Sequence, residues 1–120
     1  MGVFLYPITL IGPAGEATLE ALVDTGASYN KAPREVLESL GVSPVRRMAF
    51  DVADTREVEY ELGRVMVRVN DREEYTLCAF DEPGSESILG AHALEGLGFG
   101  VDPVRRILIP VRGRFMSGKS

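Results

Sequence analysis

The chain has 120 residues, of which 45% are hydrophobic and 26% are charged, and its formal net charge at pH 7 is -5. This length allows one domain with a buried core and is too short for two. The acidic balance argues against a nucleic-acid partner, because the global field of the protein would repel phosphate groups.

The first third of the chain predicts a β-hairpin followed by a short helix. Two apolar runs, VFLYPITLI and ATLEALV, are separated by a turn at Gly12 to Gly15, which is typical of two paired strands. The next apolar pattern, APREVLESLGV, has helical spacing. Pro33 suits the first turn of that helix and Gly41 suits its C-terminal cap.

The rest of the chain predicts further strands and a second short helix. Alternation with period two indicates consecutive antiparallel strands at EVEYEL, RVMVRV and TLCAF. DEPGSES is a loop by composition, SILG returns to the core, and AHALEGLGF predicts a helix with Leu94 and Leu97 inward and Gly98 as its stop. The apolar run RILIPV predicts the last strand. We expect one domain over residues 1–111 and a polar, disordered tail over 112–120.

Cysteine and histidine are scarce, which limits the chemistry available to the chain. Cys78 is the only cysteine and His92 the only histidine, so we expect no disulfide, no metal site and no cofactor. Cys78 lies in an apolar run, where a small buried side chain is expected. The N-terminus lacks a basic region and a membrane-length apolar run. We therefore expect a cytoplasmic protein without a membrane partner.

One carboxylate needs a special account. Asp24 directly follows the apolar run of the second strand, in ALVDTGASYN, and a charge at the end of a buried strand is costly unless other groups satisfy it. One interpretation is a turn residue whose side chain caps a bend before Gly26. The surrounding residues offer another.

The string ALVDTGAS, the Pro-initiated helix, and a later Ile88-Leu89-Gly90 followed by a second helix resemble the retropepsin-like (retroviral-type) aspartic proteases. The resemblance is closest to the small single-domain members of bacteria and archaea and covers most of the chain. It implies a mainly β fold, a closed acid-protease barrel of about six to eight strands with two short helices, and one lobe per chain.

The resemblance also implies a reaction. In this family two aspartates share a proton and activate a water that attacks a peptide bond, without a metal or covalent intermediate. Only one DTG occurs here, so the enzyme would be a homodimer with Asp24 from each subunit at the axis. The other carboxylates considered, none of which has a similar sequence context, are Asp51, Asp54, Asp81 and Asp102.

The same resemblance assigns tasks to the neighbours of Asp24. Thr25 would hydrogen-bond across the dimer axis. Gly26 would let the backbone approach the carboxylate and donate a hydrogen bond. Ala27 would be small because the loop is crowded, and Ser28 would bond the outer oxygen of Asp24.

A flap, the β-hairpin that closes over the substrate, is implied between about Val45 and Leu62. Its tip would comprise Val52, Ala53, Asp54, Thr55 and Arg56. Interface strands are implied near Val3 to Leu5 and near Ile107 to Ile109. Two features depart from the family: the run from Val42 to Leu62 contains no glycine, and Lys31 follows the DTG loop, where a positive charge would favour ionisation of both carboxylates.

The function implied is that of a homodimeric aspartic endopeptidase acting on peptides or proteins. The alternative is a catalytically silent dimeric β-domain of the same fold that binds peptides or mediates assembly. A turn-capping Asp24 in an unrelated small barrel remains a third interpretation if the chain is monomeric. The acidic strand with Glu57, Glu59 and Glu61 suggests a mild preference for basic substrates.

Overall fold

The computed structural model describes residues 4–53 and 56–113. Within these residues the elements are, in chain order, β1 (Phe4–Gly12), β2 (Gly15–Val23), β3 (Asn30–Pro33), α1 (Arg34–Ser39), β4 (Pro44–Asp51), β5 (Glu57–Val69), β6 (Arg72–Asp81), β7 (Ser87–Leu89), α2 (Ala91–Leu97), β8 (Phe99–Asp102) and β9 (Ile107–Pro110).

Six strands close into a barrel. They follow the order β1-β2-β7-β3-β6-β5, and a further pairing of β1 with β5 closes the ring, while β4 extends the sheet beyond β5. The β2–β7 and β3–β6 pairs are parallel and the others are antiparallel. This mixed barrel with two short helices confirms the predicted mainly β fold class.

The opening hairpin lies where the sequence predicts it. β1 and β2 pair in unbroken register from Phe4 opposite Val23 to Gly12 opposite Gly15. Alternate residues of β1 enter the core, with Ile8 and Leu10 buried, as expected for a strand with one buried face.

The prediction of separate strands at EVEYEL and RVMVRV is wrong, because both belong to the single strand β5. Gly63 lies between them and does not break the strand. A Cβ there would lie 2.7 Å from Val42 Cγ1 and 2.9 Å from Phe80 Cε1, so this glycine permits close packing of neighbouring elements.

The helices match their predictions in part. Pro33 is not in the first turn of α1, because it is the last residue of β3 with φ -59° and ψ 142° and precedes the helix. Gly41 has the left-handed φ of 79° expected just beyond a helix end. α2 is confirmed, with Leu94 and Leu97 buried and Gly98 left-handed at its C-cap.

The core fills the barrel and extends under both helices. It includes Leu10, Leu37, Val67 and Leu89, which are almost completely buried. Cys78 belongs to it, as expected of a small buried side chain, and burial raises the pKa of its thiol to about 12, which disfavours the reactive thiolate form. Among the residues described, no helix has the length and apolar character that a bilayer crossing requires.

The two C-terminal strands of the described part form a small separate sheet. β8 pairs with β9 from Phe99 opposite Pro110 to Asp102 opposite Ile107. The sequence predicts β9 but not β8, whose first residue, Phe99, falls in the segment AHALEGLGF that was assigned to the helix. The predicted disorder of the tail concerns mainly residues 114–120, which lie outside the described part of the chain.

Candidate functional site

The loop that carries Asp24 crosses the end of another strand. β7 lies between β2 and β3 in the barrel, so residues 24–29, which join β2 to β3, must pass over the C-terminal end of β7. The Asp24 N–H donates to the Leu89 carbonyl at 3.0 Å, and the Ala27 carbonyl accepts from the Ala91 N–H at 2.7 Å. Backbone bonds at both ends of the loop therefore fix it on β7 and α2.

Gly90 permits this crossing. A Cβ at this position would lie 2.6 Å from the Tyr29 carbonyl oxygen and 2.8 Å from that of Ala27, closer than real Cβ contacts. The Gly90 N–H donates to Asn30 Oδ1 at 2.9 Å, and Asn30 is only 1% exposed. The second apolar-Gly motif thus supports the Asp24 loop directly.

The carboxylate of Asp24 is held by its own loop. The Gly26 N–H donates to Asp24 Oδ1 at 2.9 Å, and the Ala27 N–H donates to the Asp24 carbonyl at 3.1 Å. A Cβ on Gly26 would lie 3.2 Å from the same carboxylate oxygen. The close approach expected of Gly26 is therefore present, and it fixes the direction of a partly exposed carboxylate.

Asp24 lies at one wall of a cleft of about 660 Å³. The cleft is lined by the loop and Ile88, by the C-terminal half of β4 including Phe50, and by Val52 beyond the end of β4. The volume falls within the range of about 300–1,000 Å³ that is typical of ligand sites. The partly exposed Asp24 carboxylate is thus open to a bound molecule.

Aromatic rings line the cleft beside the loop. Tyr29 stacks on His92 with centroids 4.7 Å apart and contacts Phe50 edge to face at 6.1 Å. Phe50 in turn meets Tyr60 edge to face at 5.5 Å. Such pairs add to the stability gained from burial, so the predicted flap is connected to the Asp24 loop through side chains.

Lys31 forms an ion pair away from Asp24. Its Nζ lies 3.0 Å from Asp81 Oδ2, and the Asp81 side chain is 12% exposed. Burial alone would raise the pKa of Asp81, but hydrogen bonds from Lys31 and from the Glu82 N–H outweigh it and hold the pKa below its usual value. Lys31 lines the cleft, yet its charge is matched by a carboxylate.

The other residues of the predicted site are placed as follows. Ser28 lines the cleft, but in the described chain no hydrogen bond joins its hydroxyl to Asp24. Val52 and Ala53 also line the cleft, and the Val52 N–H donates to the Arg56 carbonyl at 2.8 Å. The remaining tip residues, Asp54 and Thr55, lie outside the described residues.

Thr25 faces away from the cleft. It is exposed and lines a second groove of about 670 Å³ together with Leu94 of α2, Phe99 and Val101 of β8, and Val111. We call this surface the Thr25 groove. Charged Glu95 and Arg112 also line this mainly apolar groove.

The carboxylates considered as second partners differ in their surroundings. Asp51 lines the cleft, whereas Asp81 pairs with Lys31. Asp102 Oδ1 accepts from the backbone N–H groups of the β8–β9 turn. Asp54 lies outside the described residues. In the described chain no group of three or more His, Cys, Asp and Glu side chains could hold a metal ion.

The acidic strand does not present free charges to the cleft. Glu59 pairs with Arg47 at 3.1 Å, and Glu61 pairs with Arg34 at 2.7 Å. Neither glutamate, nor Glu57, lines the cleft of Asp24. The suggested preference for basic substrates therefore loses its structural basis.

Some residues of the site escaped the sequence analysis. Asn30 has no motif that would reveal its buried contact with a residue far along the chain. Tyr29, Phe50 and Tyr60 are far apart in sequence. Only Tyr29, which directly follows DTGAS, lies beside a motif that indicates a functional site.

Comparisons with known proteins bear on the fold. No family model and no curated protein matches the chain. Among solved structures, the EIAV protease complexed with the inhibitor HBY-793 is similar over 79% of this chain and 88% of its own, with 21% identity and a TM-score of 0.58.

A retropepsin-like aspartic protease from Rickettsia conorii is also similar, over 89% of this chain and 88% of its own, with 20% identity and a TM-score of 0.48. With the barrel, the crossing loop and the hairpin already described, the likeness to the EIAV protease shows that this chain has the retropepsin-like aspartic protease fold.

Proposed function

We propose that the protein is an aspartic endopeptidase in which two Asp24 carboxylates, one from each subunit of a homodimer, activate a water for hydrolysis of a peptide bond. The observation that carries the proposal is the placement of Asp24. Its carboxylate is fixed by the Gly26 N–H on a loop that crosses β7, and the loop lines a cleft together with residues of β4 and β5. A turn-capping role alone would not require the cleft.

The dimer is supported by the surface around Thr25. The Thr25 groove is largely apolar, and nearby Ile109 and Val111 are 40% and 50% exposed. In the described chain β8 and β9 pair only with each other, so each has an edge open to another strand. A second copy placed on this surface would bury these side chains and bring the two Asp24 loops together.

The chemistry requires both carboxylates. Two carboxyl groups at close range share one proton, so one Asp24 is a base and the other an acid. The base takes a proton from water, whose oxygen attacks the peptide carbonyl carbon, while the acid protonates the carbonyl oxygen. Collapse of the tetrahedral intermediate breaks the C–N bond, and a proton transferred to nitrogen releases the amine.

The test is a subunit-mixing experiment with Asp24→Asn, which keeps side-chain volume but removes the base. Wild type and variant are unfolded together in urea, refolded at varied ratios, and assayed for cleavage of a proteome-derived peptide library by mass spectrometry. A shared site predicts activity that falls as the square of the wild-type fraction, because every mixed dimer is inactive.

Activity proportional to the wild-type fraction would contradict the shared site, and full activity of pure Asp24→Asn would contradict the role of Asp24. The matched control is Asp71→Asn, which makes the same change at an exposed turn. We expect it to retain wild-type cleavage in every mixture.

A further inference from the structure

A third groove lies on the outer face of the β4–β5–β6 sheet. It has a volume of about 400 Å³ and is lined by Val45, Arg46, Arg64, Tyr75, Thr76 and Leu77. We call it the arginine groove. None of its residues lines the Asp24 cleft or the Thr25 groove. The volume is near the low end of ligand sites, about 300–1,000 Å³, and suits one or two side chains.

Two arginines in the groove lack the ion pairs that other arginines of these strands make. In the part of the chain that the structure describes, Arg47 and Arg68 each pair with glutamates. Arg46 and Arg64 are exposed, and within those same residues neither forms an ion pair. Two uncompensated positive charges thus adjoin one groove in a chain whose net charge is -5.

The groove also exposes large apolar side chains. Val45 is 57% exposed and Tyr75 63% exposed. Val45 is placed outward by an irregularity in the β4–β5 register between Pro44 and Arg46, a feature that often re-aims a side chain. Exposed apolar side chains beside unpaired charges indicate a contact surface for a partner.

We propose that the arginine groove binds an extended acidic segment of another protein, with carboxylates on Arg46 and Arg64 and an apolar side chain between Val45 and Tyr75. Charge complementarity identifies the occupant. The unpaired arginines would attract the carboxylates of an acidic segment, whereas they would repel a basic segment. Arginine forks also bind carboxylates in two-point geometry.

The experiment uses the full chain and a fluorescein-labelled peptide in which glutamate alternates with leucine, measured by fluorescence anisotropy. The protein is expected to bind it, to bind the glutamine-for-glutamate peptide more weakly, and to lose affinity as salt is raised. Because exposed ion pairs are individually weak, Arg46→Gln with Arg64→Gln should weaken binding about tenfold. Tyr75→Ser should weaken it as well.

The matched control is Arg47→Gln with Arg68→Gln, which changes net charge equally on the same strands and should bind like wild type. Equal loss in both double variants would reduce the effect to net charge and overturn the proposal. Equal binding of the acidic peptide and of its glutamine-for-glutamate version would also overturn the proposal.

A change in the sedimentation mass of the Arg46→Gln, Arg64→Gln variant would overturn it too, because the groove would then be an interface between copies of this chain. Binding by Asp24→Asn should be unchanged, so this test is independent of peptidase activity.

Discussion

Gly90 decides how closely the Asp24 loop can lie on the end of β7. Two carbonyl oxygens of the loop occupy the space that a Cβ would need, and the N–H of the same residue is bound by a buried asparagine. Neither contact involves catalytic chemistry, yet both set the position of the carboxylate.

Gly90→Ala should therefore destabilise the fold by about 1–3 kcal/mol, the usual cost of overpacking, and should reduce cleavage because the loop is displaced. Urea unfolding measures the first effect. Gly113→Ala is the control, since nothing lies within 4 Å of a Cβ at that glycine. Equal stability of the Gly90→Ala variant and wild type would show that the loop adapts without cost.

The Lys31–Asp81 pair gives stability a defined pH dependence. The pKa of Asp81 is lowered from its ordinary value of 3.8, because hydrogen bonds outweigh burial. The pair therefore stabilises the fold above that value, and the stabilisation is lost as pH falls through the lower, folded-state pKa.

Asp81→Asn should lower the free energy of unfolding at neutral pH and differ less from wild type in strong acid. Lys31→Met leaves the buried carboxylate without its cation, so loss of stability should begin at a higher pH than in wild type. Urea midpoints across a pH series measure both. A constant difference between wild type and Asp81→Asn at all pH values would contradict this account.

At the scale of elements, sequence periodicity predicted most strands because their burial alternates. It failed where a glycine or proline had two structural uses. EVEYEL and RVMVRV were predicted as two strands but form the single strand β5, in which Gly63 permits close packing of neighbouring elements, and Pro33 suggested a helical turn but ends β3. β8 and β3 are short strands of four residues, too short to establish a pattern before tertiary pairing defines them.

Arg72 of β6 fixes the C-terminal end of α2. Its Nη1 donates to the Leu97 carbonyl at 2.8 Å and to the Gly98 carbonyl at 3.0 Å, and its guanidinium lies 4.7 Å from the centroid of the Phe99 ring. The Leu97 carbonyl is among those that a helix end leaves without an intrahelical partner, whereas the Gly98 carbonyl also accepts from the Val111 N–H at 2.9 Å.

Arg72→Met should destabilise the protein by about 2 kcal/mol, since it removes charged hydrogen bonds from a partly buried site. Arg72→Lys should recover only part of this, because an ammonium lacks the planar fork. Thermal and urea unfolding provide the comparison. If Arg72→Lys were as stable as wild type, the positive charge alone would account for the stabilisation.

The β4–β5 hairpin, which contributes Phe50 and Tyr60 to the lining of the cleft, is connected to the Asp24 loop through Phe50, which contacts both Tyr29 and Tyr60. If the protein cleaves peptides, Phe50→Ala should raise KM about tenfold, because aromatic contacts worth about 0.5–1.5 kcal/mol each are lost. Phe50→Tyr keeps the ring and should resemble wild type. A large loss in kcat with constant KM would instead place Phe50 in the chemical step.

At the scale of the whole molecule, the barrel class was implied by the resemblance of ALVDTGAS and the later Ile88-Leu89-Gly90 to the retropepsin-like proteases, whereas periodicity predicted only individual strands and helices. It could not predict which elements meet the loop. Asn30 contacts Gly90 across 60 positions of sequence, and the aromatic cleft wall joins three elements. The proposed dimer rests on the single DTG of each chain, and the Thr25 groove that we assign to it forms where α2 and β8 come together.

Ile109→Asp should convert the proposed dimer to a monomer with the same fold. An unpaired carboxylate in an apolar interface costs several kcal/mol, and each dimer would contain two, so the dissociation constant should rise at least about a hundredfold. Sedimentation equilibrium gives the mass and circular dichroism the fold. Ile109→Val should remain dimeric. A dimeric Ile109→Asp protein would place the interface on another surface.

The insertion of β7 between β2 and β3 also orders events during synthesis. The Asp24 loop lies early in the chain, but the strand and the glycine on which it rests emerge from the ribosome much later. Contacts this distant in sequence form late, because a long stretch of chain must first be closed. Until most of the domain has been made, Asp24 of a nascent chain therefore lies in a segment whose supporting strand is missing, and the proposed active site cannot assemble on the ribosome-bound chain.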